Sequence, residues 1–343
     1  MTALDKNNLN KNKKAQIILG FFVFISSCGK LEQHQNIKGE TMGTSYSIKF
    51  ENKNNNIDSI RFSVDSILFN LNMQMSTWID SSEISRFNNL KKGEKIEVSK
   101  EFLFVLNKGI EIFNQTNGAF DFTVFPLLNI WGFGPNKRST FKKPVDENVI
   151  KTLESVGAEK IIIENNYIIK SHLNQKLDLN AIAKGYAVDA VFDWFKKNKY
   201  NHIFVEIGGE IRTFGLNSTN SPWLIGVETP QINSDDPLFK TINLSGKSIA
   251  TSGNYRNFNI HNNGLYPHTI DPRLGRPVVT NILSVSVIAE ECIISDAWAT
   301  GLMVMSLDEG IQAVSNSVEI DAMWIYLNEK DELTFHKTDG FPD

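Results

Sequence analysis

Ala181-Ile-Ala-Lys-Gly-Tyr-Ala-Val-Asp-Ala-Val-Phe-Asp-Trp-Phe-Lys-Lys197, then His202-Ile-Phe-Val-Glu-Ile207 and the pair Gly208-Gly209, is the stretch that decides the fold class. Ala183, Ala187, Val188, Val191 and Phe195 recur at helical spacing, which predicts a helix with one buried face. The shorter apolar run after it has strand length and stops at two glycines. A steady alternation of such pairs would mean a doubly wound parallel sheet. The flanking sequence does not alternate. Upstream, helices are predicted over Ile57–Met75, Ser99–Thr116 (stopped by Gly118) and Asn148–Val156. With them come a strand at Met42–Glu51 and a hairpin of Lys160–Glu164 with Tyr167–Lys170. Downstream, strands cluster at Trp223–Glu228, Phe239–Leu244, Ser248–Thr251, Phe258–His261 and Leu283–Ala289. Helices Ile293–Met305 and Leu307–Ser315 precede a final strand, Ala322–Leu327. Runs of strands broken by a few long helices predict an α+β fold of mixed, largely antiparallel sheets with packed helices.

The first residues follow other rules. Lys11, Lys13 and Lys14 precede an apolar run, Ala15–Ile25, and the small residues Ser26 and Ser27. That run is too short to span a bilayer, which takes about 20 apolar residues, and has the form of an export signal. Ile25-Ser26-Ser27-Cys28 resembles the bacterial lipobox, whose cysteine is lipidated and becomes the first mature residue. The expected organisation is a signal peptide over 1–27, a tether over 28–39 starting at lipidated Cys28, and a folded domain over 40–343. The chain would then sit on the periplasmic side of a bacterial membrane, inner or outer, held by its lipid. The other cysteine, Cys292, would be left without a disulfide partner, as a buried structural thiol. Thirty-five basic against 39 acidic side chains gives a net charge of -4. Nucleic acid, which calls for a concentrated basic surface, is not an expected partner.

Several segments carry residues suited to chemistry. Asp178-Leu-Asn-Ala-Ile-Ala-Lys-Gly-Tyr186 opens a helix whose first N–H groups would be free for an anion, with small residues permitting close approach; ordinary capping by Asn180 gives the same pattern. Gly208-Gly209-Glu210 allows a tight turn or a nearby ligand, without being a dinucleotide fingerprint. Thr251–Arg256 and Tyr266–Pro272 are polar loops holding His268 and Asp271, where His268 is either a base or a brace for the turn. Asp296 and Thr300 stand four apart on a predicted helix, hence on one face, with Ala297 and Ala299 clearing space. Two oxygen donors suit Mg²⁺ better than zinc; a capping Asp with a back-bonded Thr is the plainer explanation. Trp78 offers a flat ring for stacking or for the core.

Taken in order, the segments resemble the FAD:protein FMN transferases of the ApbE family across nearly the whole mature chain. The pieces that carry the resemblance are Thr41–Thr44, Met75–Trp78, Ser85–Asn88, Gly118–Asp121, Asp178–Tyr186, Ile207–Glu210, Thr251–Arg256, His268–Pro272 and Asp296–Thr300. The resemblance implies a flavin transferase fold and Mg²⁺-dependent transfer of FMN from FAD, the substrate, to a threonine hydroxyl of an acceptor protein, with AMP released. It implies an exported acceptor, such as a subunit of a sodium-pumping quinone reductase or a related electron-transfer complex. Asp296 and Thr300 match the family's metal positions through their side chains, and Ala183 through its carbonyl. Met42, Trp78, Ala119, Phe120, Asp121, Asn180, Tyr186 and Ile270 match positions lining the FAD site. His268 and Asp271 would shape its flavin end, and Lys184 would meet a phosphate. His268 joins Asp296 and Thr300 as a candidate catalytic residue.

One departure stands out. Phe122 and Phe125 lie where many members have proline and glycine, and Phe125 would clash if that glycine required positive φ. Two other functions use the same residues: hydrolysis of FAD to FMN and AMP, and storage of FAD by a lipoprotein that does not cleave it.

Overall fold

The computed structural model describes residues 34–134, 141–230, 237–254, 258–261 and 264–343. The expected signal peptide and Cys28 lie outside them, as do Tyr255 and Arg256. Period-two burial organises what is described. Along Ile282–Ala289, Val285, Val287 and Ala289 pack to one side and Ile288 to the other. Ala322 and Trp324 likewise oppose Met323 and Ile325 on Asp321–Leu327, as side chains alternate across any strand. These two belong to an eight-stranded sheet whose order in space is its order in the chain: His34–Thr41, Thr44–Glu51, Ile203–Ile207, Glu210–Phe214, Ser248–Gly253, Ile282–Ala289, Asp321–Leu327 and Leu333–Lys337. Every neighbouring pair is antiparallel.

Insertions between these strands cover the two faces. Helices Ile57–Met75, Lys100–Gln115, Ala183–Lys197 and Cys292–Val304 supply the larger core on one side. The hairpin of Trp223–Glu228 with Leu238–Leu244 closes the other, setting Trp223, Ile225 and Ile242 against Ile249, Ile288 and Met323. Both faces are therefore apolar, while the helices stay amphipathic. Ile57–Met75 starts on an Asn56 cap and buries Ile60, Val64, Leu68, Leu71 and Met75.

The α+β reading holds, and the helices Ile57–Met75 and Leu307–Ser315 have the bounds their periodicity predicts. Within the eight-stranded sheet, three strands were not predicted. His34–Thr41, whose first six residues fall in the run over 28–39 read as tether, is the sheet's edge strand, paired with Thr44–Glu51 from His34 to Thr41. Its buried side chains are Ile37 and Thr41, too few to show as alternation, and exposed Lys38 and Glu40 are what an edge carries. Glu210–Phe214 follows the glycine pair directly. Ala322–Leu327 is not the last strand, because Leu333–Lys337 pairs with it.

Two of the helices meet more closely than side chains would allow. A methyl group at Gly185 would stand 2.4 Å from the Cys292 carbonyl oxygen and 2.7 Å from Cβ of Asp296. At this contact each helix satisfies the other's first turn. Asp189, on Ala183–Lys197, accepts N–H bonds from Cys292 and Ile293, both 2.8 Å. Asp296, on Cys292–Val304, accepts the Gly185 N–H at 2.8 Å. Arg212 from the sheet reaches Asp189 at 2.8 Å. Helix N-termini leave N–H groups without intrahelical partners, and buried carboxylates are strong acceptors for them. Gly185→Ala should destabilise the fold by about 1–3 kcal/mol, because backbone rather than a flexible side chain must give way. Chemical denaturation checks this, and an unchanged midpoint would remove the close-contact argument.

Candidate functional site

The register of the sheet brings several turns to one end. Thr41 pairs with Thr44, Tyr46 with Ile207, and Ile207 with Glu210. The Met42–Gly43 and Gly208–Gly209 turns are thus neighbours, joined by the Gly208 N–H to the Ser45 carbonyl at 3.0 Å. Ser248–Gly253 runs past Glu210 toward the same end, and Gly253 pairs with Ser284. A cavity of about 960 Å³ opens there. Gly208–Glu210, Thr251–Gly253 and Ser284 line it from the sheet, and Asp296, Thr300, Met303 and Val304 from the helix Cys292–Val304. The opposite wall comes from the 119–134 segment, where Phe120 and Phe122 are buried and also face the cavity.

Of the residues singled out for the flavin nucleotide, Trp78, Ala119, Phe120, Asp121, Asn180 and Ile270 line this cavity, and so do Lys184 and His268. Trp78 is 68% exposed, so its ring is not part of the core. Met42 and Tyr186 are not among the lining residues. Met42 occupies the adjoining turn at φ 50°, and Tyr186 packs its ring on Phe104, 5.5 Å between centroids. Burial pushes the Tyr186 hydroxyl up to about 12. Asp271 also faces elsewhere, accepting the Arg273 guanidinium through both oxygens at 2.9 Å; it fixes the turn that carries Ile270. His268 sits edge-on to Phe133, 6.4 Å between centroids.

Asp121 is buried, accepting the N–H and the hydroxyl of Thr123, both at 2.7 Å. Burial pushes its carboxyl up to about 6 against those bonds. Asn180 does not cap the helix through its side chain: its N–H donates to Asp178 at 2.8 Å, and the helix starts at Ala183. One early N–H expected to be free for an anion, that of Gly185, already holds Asp296.

The Phe122 and Phe125 departure is absorbed by the fold. Phe125 does not have positive φ; it opens the short helix Phe125–Ile130, buried, with the Lys176 ammonium 5.6 Å from its ring centre. Phe122 lies against Gly109, where a methyl group would come within 2.6 Å of its ring. That glycine, in the middle of Lys100–Gln115, is the space the larger ring needs.

Asp296 and Thr300 do share a helix face toward the cavity. Thr300 Oγ1 is 3.2 Å from Ser252 Oγ. Asp296 Oδ1 is 3.8 Å from the Lys184 ammonium, which bonds Glu210 Oε1 at 2.6 Å. Burial pushes the carboxyls of Asp296 and Glu210 above the usual range. For Lys184 burial acts downward, and the two carboxylates override it and hold its pKa above the ordinary value. Glu210 Oε2 is buried without a hydrogen-bond partner. With both ionised, two carboxylates against one ammonium leave a buried negative charge beside a hydroxyl, an oxygen-donor set that fits a hard divalent cation. Among the described residues there is no cluster of three or more His, Cys, Asp or Glu suited to a metal, so a cation here would rely on hydroxyl, backbone or substrate oxygens.

Cys292 is the buried thiol the sequence suggested, with Sγ 3.7 Å from the Ile211 carbonyl oxygen and its pKa raised by burial. Sequence reasoning passed over Asp189 and Arg212, and read Gly185 as one of the small residues that permit close approach of a ligand or helix packing; the structure uses it for the packing. An acid among the apolar residues of the Ala183–Lys197 helix was the available signal.

The FAD:protein FMN transferase of Vibrio cholerae is 37% identical over 311 residues, covering 90% of this chain and 92% of that protein. The Haemophilus influenzae protein of the same name is 33% identical, covering 88% and 89%. Among solved structures, the flavin transferase ApbE from Vibrio cholerae superposes with a TM-score of 0.82 at 35% identity, covering 90% of this chain and 98% of that one. The apo flavinyl transferase ApbE of Pseudomonas stutzeri gives 0.81 at 30%, covering 90% and 95%. Residues 42–324 match the ApbE family, and the chain belongs to it.

Proposed function

We propose that this protein is an FAD:protein FMN transferase: it binds FAD in the cavity and moves FMN onto a hydroxyl of an acceptor protein, releasing AMP. The observation that carries the reading is the junction of two unlike surfaces in one cavity. An aromatic and apolar wall, with Trp78, Phe120, Phe122 and Ile270, faces the oxygen donors Asp296 and Thr300 and the Lys184 ammonium. The first suits a flat ring system and the second a pyrophosphate. Mg²⁺ held by Asp296, Thr300 and the Ala183 carbonyl would neutralise charge on the phosphates during transfer. The chain's own residues do the remaining work. Trp78 stacks on the substrate, Gly208 and Gly209 let it approach the backbone, and Lys184 pairs with phosphate oxygen. His268 stands at the same cavity as a hydrogen-bonding group for substrate or acceptor. Most of the rate advantage would come from holding acceptor hydroxyl and phosphorus in line.

The acceptor group is a threonine, on an exported electron-transfer subunit such as one of a sodium-pumping quinone reductase. Transfer takes place on the periplasmic side of a bacterial membrane, with the protein anchored by lipid on Cys28. Supporting this are the signal-like residues 1–27 and the lipobox-like Ile25–Cys28. Among the described residues no helix is long and apolar enough to cross a membrane.

The test is intact-mass analysis of an acceptor domain incubated with the protein, FAD and Mg²⁺, with EDTA and acceptor threonine-to-alanine controls. A gain of one FMN that needs both metal and threonine is expected. AMP without an adduct would instead mean hydrolysis, and bound FAD with neither product would mean storage. Asp296→Ala should still fold, less stably because the Gly185 N–H loses its acceptor, and lose about 10²–10³-fold in transfer, the range typical of removing one electrostatic contact at the reacting centre. Full activity of that variant at limiting Mg²⁺ would remove the metal assignment. Trp78→Ala should weaken FAD binding by about tenfold, in line with a base-stacking aromatic, and leave the melting temperature unchanged because the ring is exposed. Unchanged FAD affinity in a fluorescence titration would refute the stacking role.

A further inference from the structure

Lys184 stands between two buried carboxylates, but not midway. Its ammonium is 2.6 Å from Glu210 Oε1 and 3.8 Å from Asp296 Oδ1. The first distance is a charge-assisted hydrogen bond, and the second lies beyond hydrogen-bond range. Asp296 Oδ2 is already committed to the Gly185 N–H. Oδ1 is therefore the oxygen through which Asp296 would meet a cation, and the Lys184 ammonium is the group best placed to compete for it. Glu210 extends from the strand after the Gly208–Gly209 turn, is 5% exposed, and lines the cavity.

We propose that Glu210 is a positioning residue for the metal site: it draws the Lys184 ammonium toward the sheet and keeps Asp296 Oδ1 open to a divalent cation. The inference rests on the reading of Asp296 and Thr300 as the metal donors. With Glu210 ionised, the cluster of Asp296, Glu210 and Lys184 carries one net negative charge. Neutralising Glu210 leaves Lys184 to balance Asp296 alone, and the attraction for a cation is lost although both metal donors remain. Glu210 acts through Lys184, so removing Lys184 should cancel the effect. A purely structural role would not predict that reversal.

Mn²⁺ is the probe, titrated into the purified protein without FAD and followed by the electron paramagnetic resonance signal of the free ion. Glu210→Gln keeps the shape of the side chain and should weaken Mn²⁺ binding by roughly tenfold or more, as expected for one charge removed at a partly screened site. Lys184→Met should bind more tightly than the wild type. The double variant should return to within about threefold of the wild type, the cycle isolating the coupling between the two residues. A double variant as weak as Glu210→Gln would overturn the proposal and make Glu210 itself a ligand through Oε2. Should Glu210→Gln fail to fold, Lys184→Met decides alone: tighter binding supports the proposal, and unchanged or weaker binding overturns it. A wild type that binds no Mn²⁺ would overturn this inference, while the metal assignment, whose shell substrate oxygens can complete, is decided by the Mg²⁺ dependence of transfer. FMN transfer, read separately by mass, would then still report on the transferase reading.

Discussion

The reciprocal capping of two helices at Gly185 is the constraint on which the site depends. Asp189 ties down the Cys292 and Ile293 N–H groups, while Asp296, one turn further along that second helix, ties down the N–H of Gly185. Neither helix can slide along the other without breaking a buried charge-assisted bond, and the loss of such a bond leaves a desolvated group unpaired. Arg212 extends the link to the sheet through Asp189. Asp296 and Thr300 are thus carried by a helix fixed both to its neighbour and to the strand that leads back to Glu210. Gly185 makes the arrangement sterically possible, since any side chain there would meet the Cys292 carbonyl.

The antiparallel sheet converts this fixed point into a cavity. Because its strands follow chain order, successive turns fall alternately at its two ends, and the Met42–Gly43 and Gly208–Gly209 turns fall together. The long insertion between Thr44–Glu51 and Ile203–Ile207 returns over that end and supplies the aromatic wall. The wall tolerates unusual residues because the fold offers compensating space: Phe122 occupies room that Gly109 leaves, and Phe125 starts a helix at ordinary φ. Cavity shape and core packing are therefore one problem in the 119–134 segment, where a single ring serves both.

Helices were legible wherever an amphipathic stripe was long enough, as in Ile57–Met75. Strands were legible where one face is apolar. His34–Thr41 escaped because an edge strand with two buried side chains leaves almost no alternation to read, and Leu333–Lys337 because none of its residues is fully buried. The site was legible through segments whose order, rather than any one composition, pointed to a flavin nucleotide. What did not show was contact between distant segments. Asp271 looked like a pocket residue, but Arg273, two positions on, takes it. Asp189 looked like an interruption in an apolar helix, and it is the cap of another helix more than 100 residues away. Sequence spacing reports neighbours on one element and is silent about which element packs against it.

The Asp296–Thr300 pair shows how two competing explanations can each hold part of the truth. Four-residue spacing fits a metal pair and also fits a capping Asp with a back-bonded Thr. Asp296 does meet a helix N-terminus, but that of Ala183–Lys197, and Thr300 turns its hydroxyl to Ser252 across the cavity. The capping bond uses Oδ2 and fixes the carboxylate plane, so it orients Oδ1 rather than competing with a ligand for it. Capping and the proposed metal binding would then cooperate: a carboxylate held by a backbone N–H loses less freedom when a cation arrives, and a buried carboxylate with a raised pKa gains more from one. What decides the balance is the charge of the group beside it. Lys184 is close enough to stabilise Asp296 without a metal and far enough not to claim its oxygen, and that distance is set from the other side, by Glu210.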